Sequence, residues 1–486
     1  MDKIIRLFVV VITLFCALSI PVIGEAKNDT NIDFGAVNEI IEYQMEKHQL
    51  PGVALAVIEN GEIAYLKGYG TAGNGRAMTA QTQMFLGSQS KSFTALAIAQ
   101  LAECGKIDLN APVQQYIPWF QVSDEQASKI ITINHLLHHT SGLSDSGLKG
   151  ILPNDASLEG AVRSLAKAEL TAPVGMKHQY FNLGYSVLSY IVEQTSRLSY
   201  ADYLEANIFT PLGMDSSTAE PETATNLSQG YSRLFGFAIP MKQAVPAYAV
   251  GQGYIVSTAE DMAKYALAII NNEGDLVSVE MMNQIMTPGI GSYGMGWIIV
   301  DYGAKIFHGG ANETFRTDVN LYPRQNKGFV LLTNEGHQLD HFISTSQLKS
   351  AVESALLNSN VDFVKKSWSV RYYGWILGFI VLLLLVLHTT NFLALRKWAE
   401  RIKTFSSTRR FVDVAISFII PSCILLAVFF GVKDFYGHRF NLLINLFSLP
   451  TVLPDIFILM LVGIIPDYIQ GMIKVLIWNK NFNKPK

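Results

Sequence analysis

Apolar and polar positions divide the chain into regions of different character. The stretch "GVALAVIENGEIAYLKGYG", Gly52 to Gly70, sets two β-rich runs on either side of Asn60-Gly61. Asn-Gly suits a type I′ turn, so this stretch predicts a β-hairpin. Residues 88 to 230 follow a mostly helical period, broken at Thr140-Ser141-Gly142 and at Pro173 to Gly175. Strand-like runs return in "YGMGWIIVDYG", "AKIFHGG" and "KGFVLLTNEG". Strands at both ends with helices between them predict an α+β domain over 33–350. In it one antiparallel sheet is flanked by helices and carries a helical lobe.

Both ends of the chain are far more apolar than this middle. Lys3 and Arg6 precede an apolar run from Leu7 to Ile20, followed by the small residues Gly24 and Ala26. That order is expected of a signal peptide over 1–26, with an uncleaved anchor helix as the alternative. After a linker at 351–371, Tyr372 to Leu395 has the length a bilayer needs, and Phe411 to Val432 is a second such run. A third span is expected within 449–477, interrupted by Pro454, Asp455, Pro466 and Asp467. Its end, carrying Lys474, is compatible with an interfacial tail. Asp455 and Asp467 are expected to serve at the interface or in helix packing. The loop 396–410 holds Arg396, Lys397, Arg401, Lys403, Arg409 and Arg410 and is expected to be cytoplasmic. The loop after the second span holds only Lys433 and Arg439. The expected product is a multi-pass protein of the cell membrane, with its large domain outside the cytoplasm and the lipid bilayer as a partner.

Composition sharpens this reading. Of 486 residues 49% are hydrophobic, and the formal net charge is -3. A chain with this slightly negative net charge is not expected to bind nucleic acid. Of Cys16, Cys104 and Cys423, only Cys104 lies in the α+β region, which excludes a disulfide or a thiolate metal cluster within it.

The chemistry centres on "FLGSQSKSFTALAIAQLAECG", Phe85 to Gly105. From Phe93 onward it is an apolar helix with Gly105 as its stop, yet its first turn carries Ser88, Ser90, Lys91 and Ser92. A serine hydroxyl is a poor nucleophile until a base takes its proton. A lysine serves as that base where its surroundings disfavour the ammonium, as burial does. Lys91 lies one turn after Ser88, on the same helix face. S-x-x-K is short, and alone it fits a capped helix start with a snorkelling lysine equally well.

Further stretches decide between these. "YFN", Tyr180 to Asn182, follows a proline-glycine loop and precedes a helix expected to begin near Gly184. "ITINHLLHHTSGL", Ile131 to Leu143, reads as a helix ending in a turn. "FHGGAN", Phe307 to Asn312, ends a strand with two glycines that let backbone approach a ligand. With Ser88-Gln89-Ser90-Lys91, Tyr180-Phe181-Asn182 and His308-Gly309-Gly310 in that order, the segment from about Asp33 to Glu335 resembles the serine β-lactamase and penicillin-binding-protein superfamily. It is most similar to the branch related to class C β-lactamases. "LLHHTSGL", "IFTPLGM", "STAEDMAKY" and "YGMGW" also match that branch.

The resemblance implies a β-lactamase-like, transpeptidase-like fold with the site between sheet and lobe. It implies Ser88 as the acylated nucleophile, Lys91 and Tyr180 sharing proton transfer, and Asn182 holding Lys91 and the substrate amide. His308 and Gly310 would line the pocket from their strand. The amides of Ser88 and Ala311 would form the oxyanion hole. Ser90 would be structural, and no metal or other cofactor is implied. Two departures matter. Phe181, where serine is common, is expected to grease the pocket wall. His308 replaces the lysine of true β-lactamases and is a weaker fixed cation near neutral pH, which argues against strong β-lactamase activity. His135, His138 and His139 are expected to stabilise a helix end rather than bind zinc. Trp297 and Met295 are expected in the core or cleft wall.

The expected substrate is a small peptide or ester: a D-amino-acid amide or ester of the cell envelope. Two alternatives stay open. One is a membrane-bound peptidase maturing a secreted nonribosomal peptide, although Asn182 and Val256 stand where such peptidases carry serine and histidine. The other is a non-enzymatic penicillin-binding sensor. The oligomeric state is not legible.

The charge asymmetry gives a topology test. A reporter fused after Lys403 is expected to read as cytoplasmic and one after Glu335 as external. The same side for both would overturn the expected topology.

Overall fold

The computed structural model describes residues 32–150, 152–271, 276–337, 344–357, 370–435 and 454–482; side chains at 370–371, 427–435 and 481–482 are not described. The expected signal peptide, 1–26, lies outside the described residues, as does much of the expected linker.

The strands are β1 (Gly52–Glu59), β2 (Glu62–Gly73), β3 (Arg76–Ala77), β4 (Met84–Phe85), β5 (Tyr231–Leu234), β6 (Phe237–Pro240), β7 (Val256–Ser257), β8 (Ile298–Val300), β9 (Lys305–Ala311), β10 (Arg316–Tyr322) and β11 (Lys327–Thr333). The main sheet is seven-stranded, ordered β3-β2-β1-β11-β10-β9-β8, and its pairs are antiparallel. The hairpin expected at Asn60-Gly61 is present, with positive φ at both residues (54° and 79°), as a type I′ turn requires. The first and last strands of the domain meet at the centre, where β1 pairs with β11 from Val53 opposite Thr333 to Glu59 opposite Lys327.

The helices that matter here are α1 (Phe34–His48), α2 (Ser90–Glu103), α3 (Ile133–Leu137), α4 (Asn182–Ser196), α5 (Ala259–Asn271) and α6 (Ser346–Leu356). α1 and α6 cover one face of the sheet, against Val53, Leu55 and Val57. α5 and the helical lobe cover the other, against Ala54, Ala56 and Ile58. β1 is therefore buried on both faces, which is why it reads as a continuous apolar run. α6 carries Val352 and Leu356 into this core, so the domain extends past 350 into the stretch expected to be a linker.

The lobe meets the sheet through glycines. α2 is preceded by a tight turn, Gly87–Gln89. A Cβ on Gly310 of β9 would lie 1.9 Å from the Leu86 carbonyl oxygen, and one on Gly87 would lie 2.2 Å from the Ala311 amide nitrogen. Gly87 also has φ +54°. Two backbones thus touch where Ser88 begins.

Beyond the domain come α7 (Val370–Arg401), α8 (Ser407–Phe435) and α9 (Pro454–Phe482). Among the described residues two helical stretches, not the three expected, are long and apolar enough to cross a membrane: Tyr372–Thr404 and Pro454–Lys480. The run Phe411 to Val432 falls on α8. Within its described side chains it holds Asp413 and starts beside Arg409 and Arg410, and from 427 it passes outside them. Exposed Phe379, Leu382, Leu393, Ile419 and Leu476 give the three helices an apolar outer surface, of the kind that marks an interaction with lipid or protein.

These helices dock on the domain through a buried polar seam. Asp455 at the start of α9 contacts His337 Nε2 at 3.3 Å and accepts from the Tyr373 hydroxyl of α7 at 2.8 Å. Gly374 sits against the β5–β6 turn, where a Cβ would lie 2.1 Å from the Phe235 carbonyl oxygen. Asp455 therefore joins the two parts of the chain, a tertiary version of its expected packing role.

The close approach at Gly310 predicts that Gly310→Ala will force the sheet and α2 apart. We expect a stability loss of about 1–3 kcal/mol, typical of overpacking, with loss of reactivity at Ser88. A melting curve with active-site labelling measures both, and an unchanged Tm with full labelling would contradict the geometry.

Candidate active site

Ser88 lies in the turn before α2 and is partly exposed, whereas Lys91 in the first turn of α2 is fully buried. The Lys91 ammonium nitrogen stands 3.1 Å from Ser88 Oγ and 2.5 Å from the Gln252 carbonyl oxygen. It also lies 4.9 Å from the Tyr180 ring centroid and 5.7 Å from that of Tyr185. Burying a cation is costly unless it is paired. Here a carbonyl, a hydroxyl and two aromatic faces replace its water, and hydrogen bonds to a charged group contribute about 1.5–3 kcal/mol each.

The segment Val250–Tyr254 supplies that carbonyl and is held against α2 by Thr94, whose hydroxyl donates to the Gly251 carbonyl at 2.7 Å. Gly251 packs so closely that a Cβ would lie 1.9 Å from Ser189 Oγ. Ser90 faces away from Ser88, and its buried hydroxyl accepts from the Ile255 amide at 3.1 Å.

Tyr180 and Asn182 flank Phe181. Phe181 has extended φ/ψ (−138°, 107°), so neighbouring side chains alternate sides. Tyr180 is set beside Lys91, while Phe181 turns into the core, 1% exposed. The expectation that Phe181 greases the pocket wall is therefore corrected. Asn182 is the first residue of α4, two residues earlier than the helix start expected near Gly184, and is partly buried. Gly310 is buried against Leu86 and Gly87, and Ala311 is exposed at the end of β9.

His308 is 4% exposed and points away from solvent. Its Nδ1 lies 2.7 Å from the Gly309 carbonyl oxygen, so Nδ1 carries the proton. Nε2 then accepts from the Tyr293 hydroxyl at 3.1 Å. Burial, reinforced by the nearby Lys91 charge, pushes the His308 imidazole down to about 3. At neutral pH this strand therefore presents a neutral imidazole. Burial holds Tyr293 well above the ordinary tyrosine value, which keeps it a phenol donor.

Two residues were not assigned to the site from sequence. His139 is buried, with ring centroids 4.2 Å from Tyr180 and 4.7 Å from Tyr293. Its Nδ1 accepts the Phe181 amide at 3.1 Å, so it braces the Tyr180-Phe181-Asn182 segment. Burial first, and Lys91 second, lower its imidazole well below the ordinary value. Tyr293 is the other, through its bond to His308. The signals were present in "HHTSGL" and "YGMGW", but His139 reaches the site through a positive φ of 55° that no pattern reveals. His135 and His138 do stabilise a helix end. His135 completes a capping box with Thr132, and His138 Nδ1 lies 3.1 Å from the Asn134 carbonyl oxygen. Trp297 and Met295 are core residues, 1% and 3% exposed. Val256 is a buried partner of Phe85 in the β4–β7 pair.

Comparison with known proteins adds the following. The family described as Beta-lactamase matches residues 37–351. Protein flp of Staphylococcus aureus is 26% identical over 317 residues, 63% of this chain and 64% of that protein. The unguisins hydrolase ungD' of Aspergillus campestris is 28% identical over 356 residues, 67% of this chain and 65% of that protein. The chain thus spans a little under two thirds of the length of these relatives. The octameric penicillin-binding protein homologue from Pyrococcus abyssi superposes with a TM-score of 0.60 at 27% identity, covering 71% of this chain and 82% of its own.

The buried imidazoles predict acid sensitivity. His308 titrates near 6.5 when unfolded and near 3 when folded, so between those values the unfolded state binds more protons. Its neutral form is compatible with full stability above about pH 6.5, and stability falls as pH drops toward 3. Each such group contributes up to about 1.4 kcal/mol per pH unit. His308→Asn is expected to give a shallower acid slope of Tm against pH; an unchanged slope would mean His308 protonates in the folded state.

Proposed function

Because this chain belongs to the Beta-lactamase family, a family of serine hydrolases, we propose that it is a membrane-anchored hydrolase that acts outside the cytoplasm through an acyl-enzyme on Ser88. Its proposed substrates are D-amino-acid amides or esters of the cell envelope. The observation that carries the hydrolytic reading is the 3.1 Å contact between Ser88 Oγ and the buried Lys91 side-chain nitrogen.

In the proposed reaction the Lys91–Tyr180 pair, in the state in which it has given up one of its protons, accepts the Ser88 proton as Oγ adds to the substrate carbonyl carbon. The carbonyl electron pair moves to oxygen, facing the amides of Ser88 and Ala311. Collapse expels the amine or alcohol, which takes up the proton and leaves an ester on Ser88. Water, deprotonated by the same pair, adds to that ester and releases the acid and Ser88. Asn182 and Gly310 border the substrate. The neutral, buried His308 supports substrates held by hydrogen bonds and by the partly exposed aromatic ring of Tyr180, rather than by a cation paired with a carboxylate. The two apolar helical stretches support the anchoring.

A fluorescent phosphonate is expected to label Ser88, and Ser88→Ala to abolish the adduct. Ser90→Ala is expected to keep it, at some cost in stability because the Ile255 amide loses its acceptor. Lys91→Ala is expected to slow labelling by ~10²–10⁴. Peptide mapping reads the site, and label on Ser90, or full label in Ser88→Ala, would overturn the assignment.

A further inference from the structure

Between α7, α8 and α9 lies a cavity of about 320 Å³, lined by Asn391, Trp398, Ser417, Asp467, Gln470 and Lys474. Polar and ionisable side chains among membrane helices are costly and usually mark a function. Gln470 is 6% exposed, and its Nε2 donor has no hydrogen-bond partner among the described residues. A buried amide donor without an acceptor costs about 1–3 kcal/mol, so its presence on the wall of a polar cavity points to an acceptor supplied from outside. Lys474 reaches the same space, donating to Ser417 Oγ at 3.0 Å and the Asp413 carbonyl at 3.3 Å. The Asp413 carboxylate itself accepts from the Trp398 indole at 2.6 Å. The other wall is apolar, with Leu395, Ile416 and Ile420.

The cavity's place along the bundle narrows the ligand. Trp398 lies in the last turn of α7, and Ser417 lies ten residues into α8. This is the end of the bundle that carries Arg396, Lys397, Arg401, Arg409 and Arg410, where a tryptophan belongs at headgroup level. An acceptor-rich group meeting Gln470 and Lys474, with hydrocarbon beside Ile416 and Ile420, is an amphiphile. Taking the helices as membrane spans, we propose that this cavity is a binding site for the phosphodiester headgroup of one phospholipid from the leaflet facing the basic loop. Gln470 and Lys474 donate to the phosphate, and the apolar wall receives the start of an acyl chain.

The full chain, purified in detergent, is exposed to phosphatidylglycerol, to diacylglycerol of the same chains, or to sn-glycerol 3-phosphate, and bound molecules are counted by native mass spectrometry. One retained phosphatidylglycerol is expected, with neither of the other two retained. Gln470→Leu and Lys474→Gln are each expected to lower retention about tenfold, and Ser417→Ala, a one-atom change, to lower it less. Lys403→Gln, in the basic loop but not on the cavity wall, is expected to retain it. Equal retention of diacylglycerol would make the cavity an apolar gap, and equal binding of glycerol phosphate would make it a free-anion site; either overturns the proposal. So does unchanged retention in Gln470→Leu and Ser417→Ala, or an equal loss in Lys403→Gln. Phosphonate labelling of Ser88 in each variant reports the domain independently, so failure here is separable from failure of the hydrolase reading.

Discussion

A buried ammonium needs several elements at once. The Lys91 cation has no exposure, so every group that replaces its water must be brought to it by folding. α2 brings Ser88, the segment around Gln252 brings a carbonyl, and the stretch before α4 brings the Tyr180 ring. None of these is near another in sequence except Ser88. Separating any of them would leave a desolvated charge, a penalty far larger than a surface lysine would feel. The same cation acts on its surroundings. It reinforces burial in keeping His139 and His308 neutral, so one charge is concentrated beside the serine rather than shared among several.

The glycines around this cation serve distance rather than flexibility. Gly87 and Gly310 let a helix start and a strand edge touch backbone to backbone, and Gly296 does the same under Lys91, where a Cβ would lie 2.8 Å from the Lys91 carbonyl oxygen. The result is a serine whose amide and whose neighbour across the gap, Ala311, come from two different layers of the fold. A site built across a layer boundary inherits the rigidity of both layers, because neither can shift without opening a packed core.

The apolar helices after the domain are tied to the same sheet. Glu335 and His337 follow β11, the strand that pairs with β1 at the sheet centre. Glu335 contacts buried Arg233 at 3.6 Å, and His337 contacts Asp455. The seam therefore joins the helix tips to the central strands, not to a peripheral loop. Polar contacts at such a junction give direction: an apolar seam could slide, whereas the Asp455 carboxylate, which also accepts from the Ile456 amide, meets His337 and Tyr373 in one relative placement.

Much of this was legible in the residues themselves. The Asn60-Gly61 hairpin, the α+β order and the Ser88–Lys91 spacing rest on local rules, namely turn chemistry, apolar period and one helical turn of separation, and local rules act over a few residues. The family resemblance supplied the order of the motifs. What lay beyond reach depended on contacts distant in sequence. Phe181 reads as a wall residue until the extended backbone beside it turns it into the core. His139 reads as a turn residue until its left-handed backbone places it under Tyr180. His308 reads as a weak cation until burial makes it neutral. In each case the residue type was visible and its environment was not. A side chain's charge state and the face it shows are set by what packs on it, and for these residues that packing comes from segments distant in sequence: the Lys91 charge acts on His308, and the Tyr293 ring meets both His139 and His308, only because the folded sheet and lobe bring them together.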